Sequence, residues 1–475
     1  MKSNARNDAP HPSVAIIGGG LAGLAAAEAL SRCGFKVTLL ESRRYLGGRA
    51  GSFCDETTQQ LFDHCQHVAM GCCTNFLDFC KRLGVDAFFR RDRQMHFIDA
   101  AGKTYPFAAH PSLPAPFHLA PAFWRQGYLT WRERLGIAAA LRRMSQLSDE
   151  QVESLRVGPW LREQNQSASV IRRFWEIILV SALGDSIDKT SLAAARKVMI
   201  DGFLAHPYAA DLYLPSVPLG QIYEEGIARR LFDRGVRIEM GSPVDEVFRK
   251  SVGSGFSVEV KDQATLQFEN VVMAIPGRRA KAVLAPRLFE KVPDLAQIDQ
   301  FNYAPITSVH LWYERSLTDL PHAVLLDRTS QWLFAHGKAN SSQDGRVSHY
   351  YQVVISASHD LPTGDHPAII AAVTSELAQL WPNAASPISA RVITQKGAVF
   401  SAAPGIEAIR PRQETPVSGL YLAGDWTKTG WPATMEGAVR SGRLAAEALL
   451  RRYGREEPLV TPDLPHSWLC KKLFR

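Results

Sequence analysis

Three glycines near the start of the chain, Gly18, Gly20 and Gly23, restrict its folding choices more than any other feature. They follow the apolar run Val14 to Ile17 and open an Ala/Leu-rich segment from about Leu21 to Cys33. Gly34 stops that segment before a second apolar run, Lys36 to Leu40. Strand, glycine turn, helix and strand make a βαβ unit, and parallel pairing requires the crossover helix that the pattern supplies. In such a unit Gly18 permits the tight turn, Gly20 lets the backbone approach a pyrophosphate, and Gly23 permits close packing of helix on strand. The helix N-terminus then offers unpaired N–H groups to phosphate. Glu41 stands 18 residues beyond Gly23, at the end of the second strand, where a carboxylate can accept ribose hydroxyls. Gly47, Gly48 and Arg49 follow at once. Arg49 can offer a fixed fork of donors to the phosphate bridge, and NAD domains do not need this second loop.

The rest of the chain must supply more than this unit. At 475 residues it exceeds what one growing core fills. The formal charge of +7 is spread along the sequence without a long basic tract, and no nucleic-acid module accompanies it, so nucleic acid is not an expected partner. A basic surface suits an anionic cofactor or an anionic membrane face. Met1 to Pro12 is polar and lacks an apolar core, unlike a secretory signal. No run reaches the length of a membrane span. Cys54, Cys65, Cys72, Cys73 and Cys80 lie in one stretch with His64 and His67. Paired C-x-x-C arms are lacking, so packed thiols are expected there and no metal. The odd cysteine count fits a reducing compartment.

Further on, Trp131 to Asp201 is helical in character, and Val170 to Leu183 places Ile171, Phe174, Trp175, Ile178, Leu179 and Ala182 at helical spacing. Leu212 to Pro218 reads as an extended lead into a helix around Ile222 to Arg234. Short strands are expected at Val236 to Glu239, Val244 to Phe248, Gly255 to Val260, Leu266 to Phe268 and Val271 to Ala274. Alternating runs at Ser308 to Tyr313 and Val347 to Ile355, with a helix near Ala368 to Leu380, predict a mixed sheet in a second domain. Gly419 to Leu450 reads as strand, Gly-rich turn and helix. It contains Gly424, Asp425 and Trp426, then Met435, Glu436, Gly437 and Ala438.

With both ends in view, the chain resembles the flavin amine oxidase and phytoene desaturase superfamily. There the N-terminal glycine motif, the acid, the Gly-Gly-Arg loop and a C-terminal Gly-Asp segment jointly hold FAD. The resemblance implies that Asp425 hydrogen-bonds a ribityl or phosphate-side group, and that the helix opening at Met435, with Glu436 in its field, stabilises negative charge on the reduced flavin ring. The resemblance implies an α/β fold: a Rossmann-like FAD-binding domain, a mixed α+β substrate domain and a helical subdomain. It divides the chain into FAD-binding parts at 1–110, 210–290 and 396–452, a helical region at 111–209, the substrate sheet at 291–395 and a tail at 453–475. Val244 matches the residue whose backbone meets the adenine, and Val271 to Pro276 matches a returning strand of the nucleotide domain.

Within the superfamily, Phe62-Asp63-His64-Cys65-Gln66-His67 and Gly71-Cys72-Cys73-Thr74-Asn75 look like the squalene-associated FAD-dependent desaturase branch, the hydroxysqualene dehydroxylases of hopanoid formation. Cys65 departs from the Gly usual there. The implied chemistry is reductive removal of an allylic hydroxyl, with hydride from reduced FAD and an acid to protonate the leaving oxygen. His67, Asp63 and His64 are the candidate acids, with His67 first because an imidazole titrates near neutrality. The resemblance also implies an isoprenoid lipid substrate, an unidentified electron donor, and a cytoplasmic protein bound peripherally to the inner membrane face. Phe174, Trp175, Ile178, Leu179, Leu183, Met199, Phe203 and Leu204 are expected in a substrate tunnel or membrane-facing surface, with Arg172 and Arg173 toward an anionic leaflet. Two other activities share the fold: oxidative desaturation of carotenoid precursors and, less close, amine oxidation. A flavin-bound scaffold without activity is disfavoured, because the Met435 to Ala438 segment addresses the reactive ring.

Overall fold

The computed structural model describes residues 12–56, 58–340, 347–362, 364–382 and 386–474. The leading segment Met1 to Pro12 therefore falls, through residue 11, outside the described residues. The glycine-rich start forms the expected unit: strand Ser13–Ile17, helix Leu21–Arg32 and strand Lys36–Glu41. Three further strands join it from far along the chain. The parallel sheet runs Arg237–Met240, Lys36–Glu41, Ser13–Ile17, Asn270–Met273 and Leu420–Leu422. Apart from the exposed edge strand Arg237–Met240, its strands are largely apolar and buried, as parallel strands covered on both faces require. On one face Leu21–Arg32 packs against Met435–Arg452. Small residues set that spacing: a Cβ on Gly442 would lie 2.2 Å from the Ala22 carbonyl oxygen, so the helices touch backbone to backbone.

A seven-stranded sheet forms the second layer, in the order Ser389–Phe400, Tyr303–Tyr313, Val347–Ser356, Trp332–Asn340, His322–Leu325, Gln94–Ile98 and Thr104–Ala108. The last two strands are a correction. They lie inside the 1–110 stretch assigned to cofactor binding, yet they pair here through Val324–Phe97 and Leu325–Ile98. Alternation divides the faces. Val309, Leu311, Tyr351, Val353 and Ile355 meet Ile369, Val373 and Leu377 of helix His366–Leu380. The opposite face carries His310, Trp312, Tyr350, Gln352, Phe334 and Val324, and turns toward the nucleotide domain.

The middle of the chain is helical as expected. Trp131–Gln146 opens with a reciprocal cap between Thr130 and Glu133, and Asp149–Ser154 with one between Ser148 and Gln151. Several tunnel candidates are core instead. Phe174, Trp175, Leu179, Leu183 and Met199 pack with Trp160, Leu161 and Ile187 inside the helical region. Arg172 and Arg173 face Asp327, in the turn that follows strand His322–Leu325, at 3.7 and 2.5 Å, which removes them from a lipid-facing role. Ile178, Phe203 and Leu204 do reach the space between the layers. They join Met95, Phe97, Leu119, Ile177, Leu212, Val324 and Phe334 in one apolar cluster, bordered by Val68 and Met70.

Candidate cofactor and substrate site

At the carboxyl end of the parallel sheet, Gly18 has φ +112° and Gly23 packs so closely that a Cβ would meet the Gly18 carbonyl oxygen at 1.9 Å. Gly20 is different: the nearest atom a Cβ would meet is the Gly48 Cα, 3.9 Å away. The two glycine loops thus leave a cleft over the start of Leu21–Arg32, whose first turn has neither a side-chain cap nor an acidic residue. That is an anion-binding geometry. Glu41 is buried beside it and accepts the Gly19 N–H at 2.6 Å and the Arg43 N–H at 2.8 Å. Oε1 also accepts the Ser42 hydroxyl at 3.1 Å, so it is Oε2 that keeps a lone-pair direction for a ribose hydroxyl. Ser242 N donates to the Glu41 carbonyl at 2.8 Å, which brings the strand Val244–Arg249 to the same end.

Two expectations about charge change. Arg49 was expected on the phosphate bridge and Asp425 on a ribityl or phosphate-side group; instead they form an ion pair with each other. The second arm of Arg49 donates to the Ala398 carbonyl at 3.0 Å. Glu436 was expected in the field of the ring-side helix. It is fully buried and points to the helix Thr74–Arg82, accepting Phe76 N–H at 2.8 Å and the Asn75 side chain at 2.8 Å. It is thereby the N-terminal cap of a neighbouring helix. Burial pushes its carboxyl above the usual range. Met435 and Ala438 remain half-buried at the opening of Met435–Arg452, where Thr434 caps the Gly437 N–H at 3.0 Å.

The loop 424–432 is held by a residue the sequence did not single out. Arg410, buried, donates to the carbonyls of Trp431 and Asp425, both at 2.8 Å, and to the Thr429 hydroxyl at 3.0 Å. Gln413 adds bonds to the Thr427 hydroxyl and Lys428 carbonyl, both at 2.9 Å. A buried arginine that braces carbonyls leaves no local sequence pattern, so only the fold reveals it. Lys428 itself is exposed.

The acid candidates fare unevenly. Asp63 turns away from the interlayer space, accepting the Ser52 hydroxyl at 2.5 Å and the Leu219 N–H at 2.8 Å. Burial lifts its carboxyl to about 7, but these bonds assign it to holding the loop. His64 stacks on Phe53 with ring centroids 5.5 Å apart, its Nε2 is buried without a partner, and burial lowers its pKa. His67 binds the Cys65 carbonyl through Nδ1 at 2.8 Å, and burial pushes it down to about 4. A ring neutral at pH 7 carries no spare proton, so the near-neutral titration that recommended His67 is lost to desolvation. Burial raises the Cys65 thiol to about 12, which makes it inert. Among the described residues, no three possible ligands converge on a metal position.

Over this loop stands a polar cluster from the seven-stranded sheet that the sequence reading did not identify. His310 Nδ1 meets the Tyr350 hydroxyl at 2.8 Å, and the same ring bonds the His64 carbonyl. Gln352 donates to the Asp63 carbonyl at 3.2 Å. His336 stacks on Tyr350 with centroids 4.7 Å apart. These residues alternate along strands whose pattern looked merely amphipathic.

A family model described as flavin containing amine oxidoreductase matches residues 21–450. The 15-cis-phytoene desaturase of Synechococcus elongatus is 27% identical over 466 residues, covering 92% of this chain and 96% of its own. Among solved structures, an oxidoreductase from Methanosarcina mazei superposes with TM-score 0.67 at 16% identity, covering 90% of this chain and 98% of its own. Cyclohexylamine oxidase from Brevibacterium oxydans superposes with TM-score 0.64 at 20% identity, covering 94% and 100%. The open glycine cleft, the uncapped helix start and the Glu41 carboxylate suit a flavin dinucleotide.

Proposed function

The chain belongs to the flavin containing amine oxidoreductase family, and from that premise we propose an FAD-dependent oxidoreductase that removes the allylic hydroxyl of hydroxysqualene to give squalene. FAD is the cofactor; when bound, it exchanges hydride with the substrate. Gly18, Gly20, Gly23 and the start of Leu21–Arg32 would hold its phosphates, Glu41 its ribose, and the Gly424–Ala438 segment its far end. The single observation behind the substrate class is the apolar cluster of Met95, Phe97, Leu119, Ile177, Phe203 and Phe334, set against the loop that follows His67. Removing an isoprenoid chain from water against such apolar side chains would contribute roughly 0.8 kcal/mol per CH₂. The dehydroxylation reading rests on the resemblance of Phe62 to Asn75. It also suits an apolar cluster with polar side chains beside it, since a leaving hydroxyl needs hydrogen bonds and a hydrocarbon does not.

A second reading, desaturation of a phytoene-type carotenoid precursor, is favoured by the similarity to the Synechococcus elongatus desaturase over nearly the whole of both chains. Both readings share the cofactor and an isoprenoid substrate; they differ in the direction of electron flow. One experiment separates them. The reduced holoprotein is mixed anaerobically with hydroxysqualene, and the oxidised holoprotein with phytoene. Flavin reoxidation with stoichiometric squalene supports dehydroxylation. Flavin reduction by phytoene, with no squalene from the first mixture, replaces it with the second reading.

We further propose that the protein docks peripherally on an anionic membrane surface, the inner face on the cytoplasmic side. No helix among the described residues is long and apolar enough to cross a bilayer. A different segment from the one first expected carries the contact. Phe117, Trp124, Trp131, Leu135 and Trp468 are exposed, and Trp131 and Leu135 lie one turn apart on the same helix face. Ser467 donates to the Ala115 carbonyl at 2.5 Å, seating the helix Trp468–Leu473 beside the Phe117 turn. Exposed Arg125, Arg132, Lys471 and Lys472 surround these rings. Aromatic rings with a basic fringe suit the interfacial zone of an anionic leaflet. Leu119, two residues from Phe117, belongs to the apolar cluster, so lipid would reach that cluster from this side.

A further inference from the structure

Between the loop 424–432 and the short helices Pro293–Gln300 and Ile406–Ile409 lies a cavity of about 330 Å³. Its wall is largely polar: Asp294 and Gln297 come from the first helix, Arg410 and Arg412 from the segment after the second, and Lys428 from the loop. That segment and the loop run side by side. The Lys428 N–H donates to the Pro411 carbonyl at 2.8 Å, and the Gln413 side chain donates to the Lys428 carbonyl at 2.9 Å. Arg412 and Lys428 are thereby held at one cavity.

The donors of this wall are unspent. Arg410 commits both terminal nitrogens to the loop and to Glu407, but its Nε is buried without a hydrogen-bond partner. Gln297 accepts the Gln300 amide through its oxygen, which leaves its own NH₂ to donate. Arg412 and Lys428 are exposed, and among the described residues neither side chain makes a hydrogen bond or an ion pair. Of the nearby carboxylates, Glu407 is held by Arg410 and Asp294 faces water. Burial raises Glu153, which senses the charge of Lys428, above the usual carboxylate range. Four donors from three segments, two of them on cations without a contacting carboxylate, suit a ligand made of acceptors. A carboxylate presents two oxygens. A phosphate group presents three or more with a second charge, and it binds guanidinium and ammonium through charge-assisted hydrogen bonds. The cavity shares no residue with the glycine cleft at the start of Leu21–Arg32, so it is a second anion position.

We propose that this cavity binds a phosphate group, free or as a phosphomonoester, and that the anion ties Lys428 to Arg412 and Gln297. The tie pins the loop whose Gly424–Ala438 segment would hold the far end of FAD, so flavin retention responds to phosphate. Lys428 acts on the loop only through the anion. The test follows the fluorescence of FAD released when holoprotein is diluted, at equal pH and ionic strength, into potassium chloride, potassium phosphate, or chloride containing adenosine monophosphate. Isothermal titration of the holoprotein with each phosphate compound reads binding directly. Release should slow about tenfold with phosphate bound, a coupling of the size usual between linked sites. Slowing by inorganic phosphate assigns the site to the free anion, and slowing by the nucleotide alone assigns it to an ester. Arg412→Ala and Gln297→Ala should each remove most of the response and Arg412→Lys should keep part of it, with Tm and initial FAD content showing that each variant is folded. Equal release in all three media would overturn the proposal, as would slowing without a titratable site or slowing that survives Arg412→Ala.

Discussion

His67 shows how far burial can reverse a residue's apparent use. In sequence it is an imidazole in the right loop; in the structure it is desolvated, neutral at pH 7 and bonded to the carbonyl two residues back. His67→Gln should therefore retain FAD and leave the pH dependence of turnover unchanged between pH 6 and 8. A lost limb in that profile would restore His67 as the acid. Glu41 carries the opposite expectation. Its carboxylate ties the Gly19 and Arg43 N–H groups as well as facing the ribose position. Glu41→Ala should weaken FAD retention by tenfold or more, at about 1.5–3 kcal/mol for hydrogen bonds to a charged group. Equilibrium dialysis of the apoprotein against FAD reads this directly, and unchanged affinity would remove Glu41 from the site. The pair Arg49–Asp425 could not be read in advance, because it joins positions 376 residues apart. Each residue taken alone looked like a cofactor ligand.

At the scale of elements, local signals were legible and long-range ones were not. Ser13–Ile17, Leu21–Arg32 and Lys36–Glu41 fall within a residue of the sequence reading, because the apolar runs and glycines that define them are contiguous. Gln94–Ile98 was missed: its five residues alternate too briefly to register, and its partner His322–Leu325 lies over two hundred residues away. The bulge at His336, where the register of Trp332–Asn340 shifts between Ala335 and Gly337, was likewise invisible, since nothing in Ala335-His336-Gly337 announces which residue is extra. The brace on the loop 424–432 belongs here too. Removing Arg410 frees four carbonyl or hydroxyl acceptors in a buried loop. Arg410→Ala should lower FAD affinity and stability together, by about 2–4 kcal/mol in urea unfolding, as breaking buried networks does. Lys428→Ala, in the same loop but exposed, should change neither. Equal losses in the two variants would mean that the loop is not held by Arg410.

For the whole molecule, buried imidazoles dictate the response to acid. His67, His322 and His336 are pushed to about 4 and His310 to about 3, all by burial. Unfolding returns each to about 6.5, so between pH 4 and 6.5 the unfolded chain binds more protons and stability falls as pH drops. Asp63, raised to about 7, and Glu436, also raised by burial, oppose this, while His64, His96, His118 and His206, lowered by burial, add to it. The Tm should decline from pH 7 to pH 5; a rise would contradict the burial of these rings. The docking surface acts at the same scale. Liposomes with anionic lipid should carry the protein in flotation, high salt should reduce the bound fraction, and a Trp124, Trp131, Trp468→Ala triple variant should stay behind with its FAD content intact. Flotation undiminished by the three substitutions would place the contact elsewhere.

The parallel sheet draws its strands from residues 13–17, 36–41, 237–240, 270–273 and 420–422, and its first helix lies against its last. Synthesis proceeds from the N-terminus at about 5–20 residues per second. The first βαβ unit therefore leaves the ribosome long before the strand and helix that complete its cofactor domain exist. For most of translation the apolar side of Leu21–Arg32 has no partner, and pairings this distant in sequence form slowly. FAD capture is thus a late event, following chain completion, and a nascent chain stalled before residue 420 would expose a sheet edge and a bare helix face. Chaperone demand should fall on that interval, and supplying the cofactor early would not shorten it.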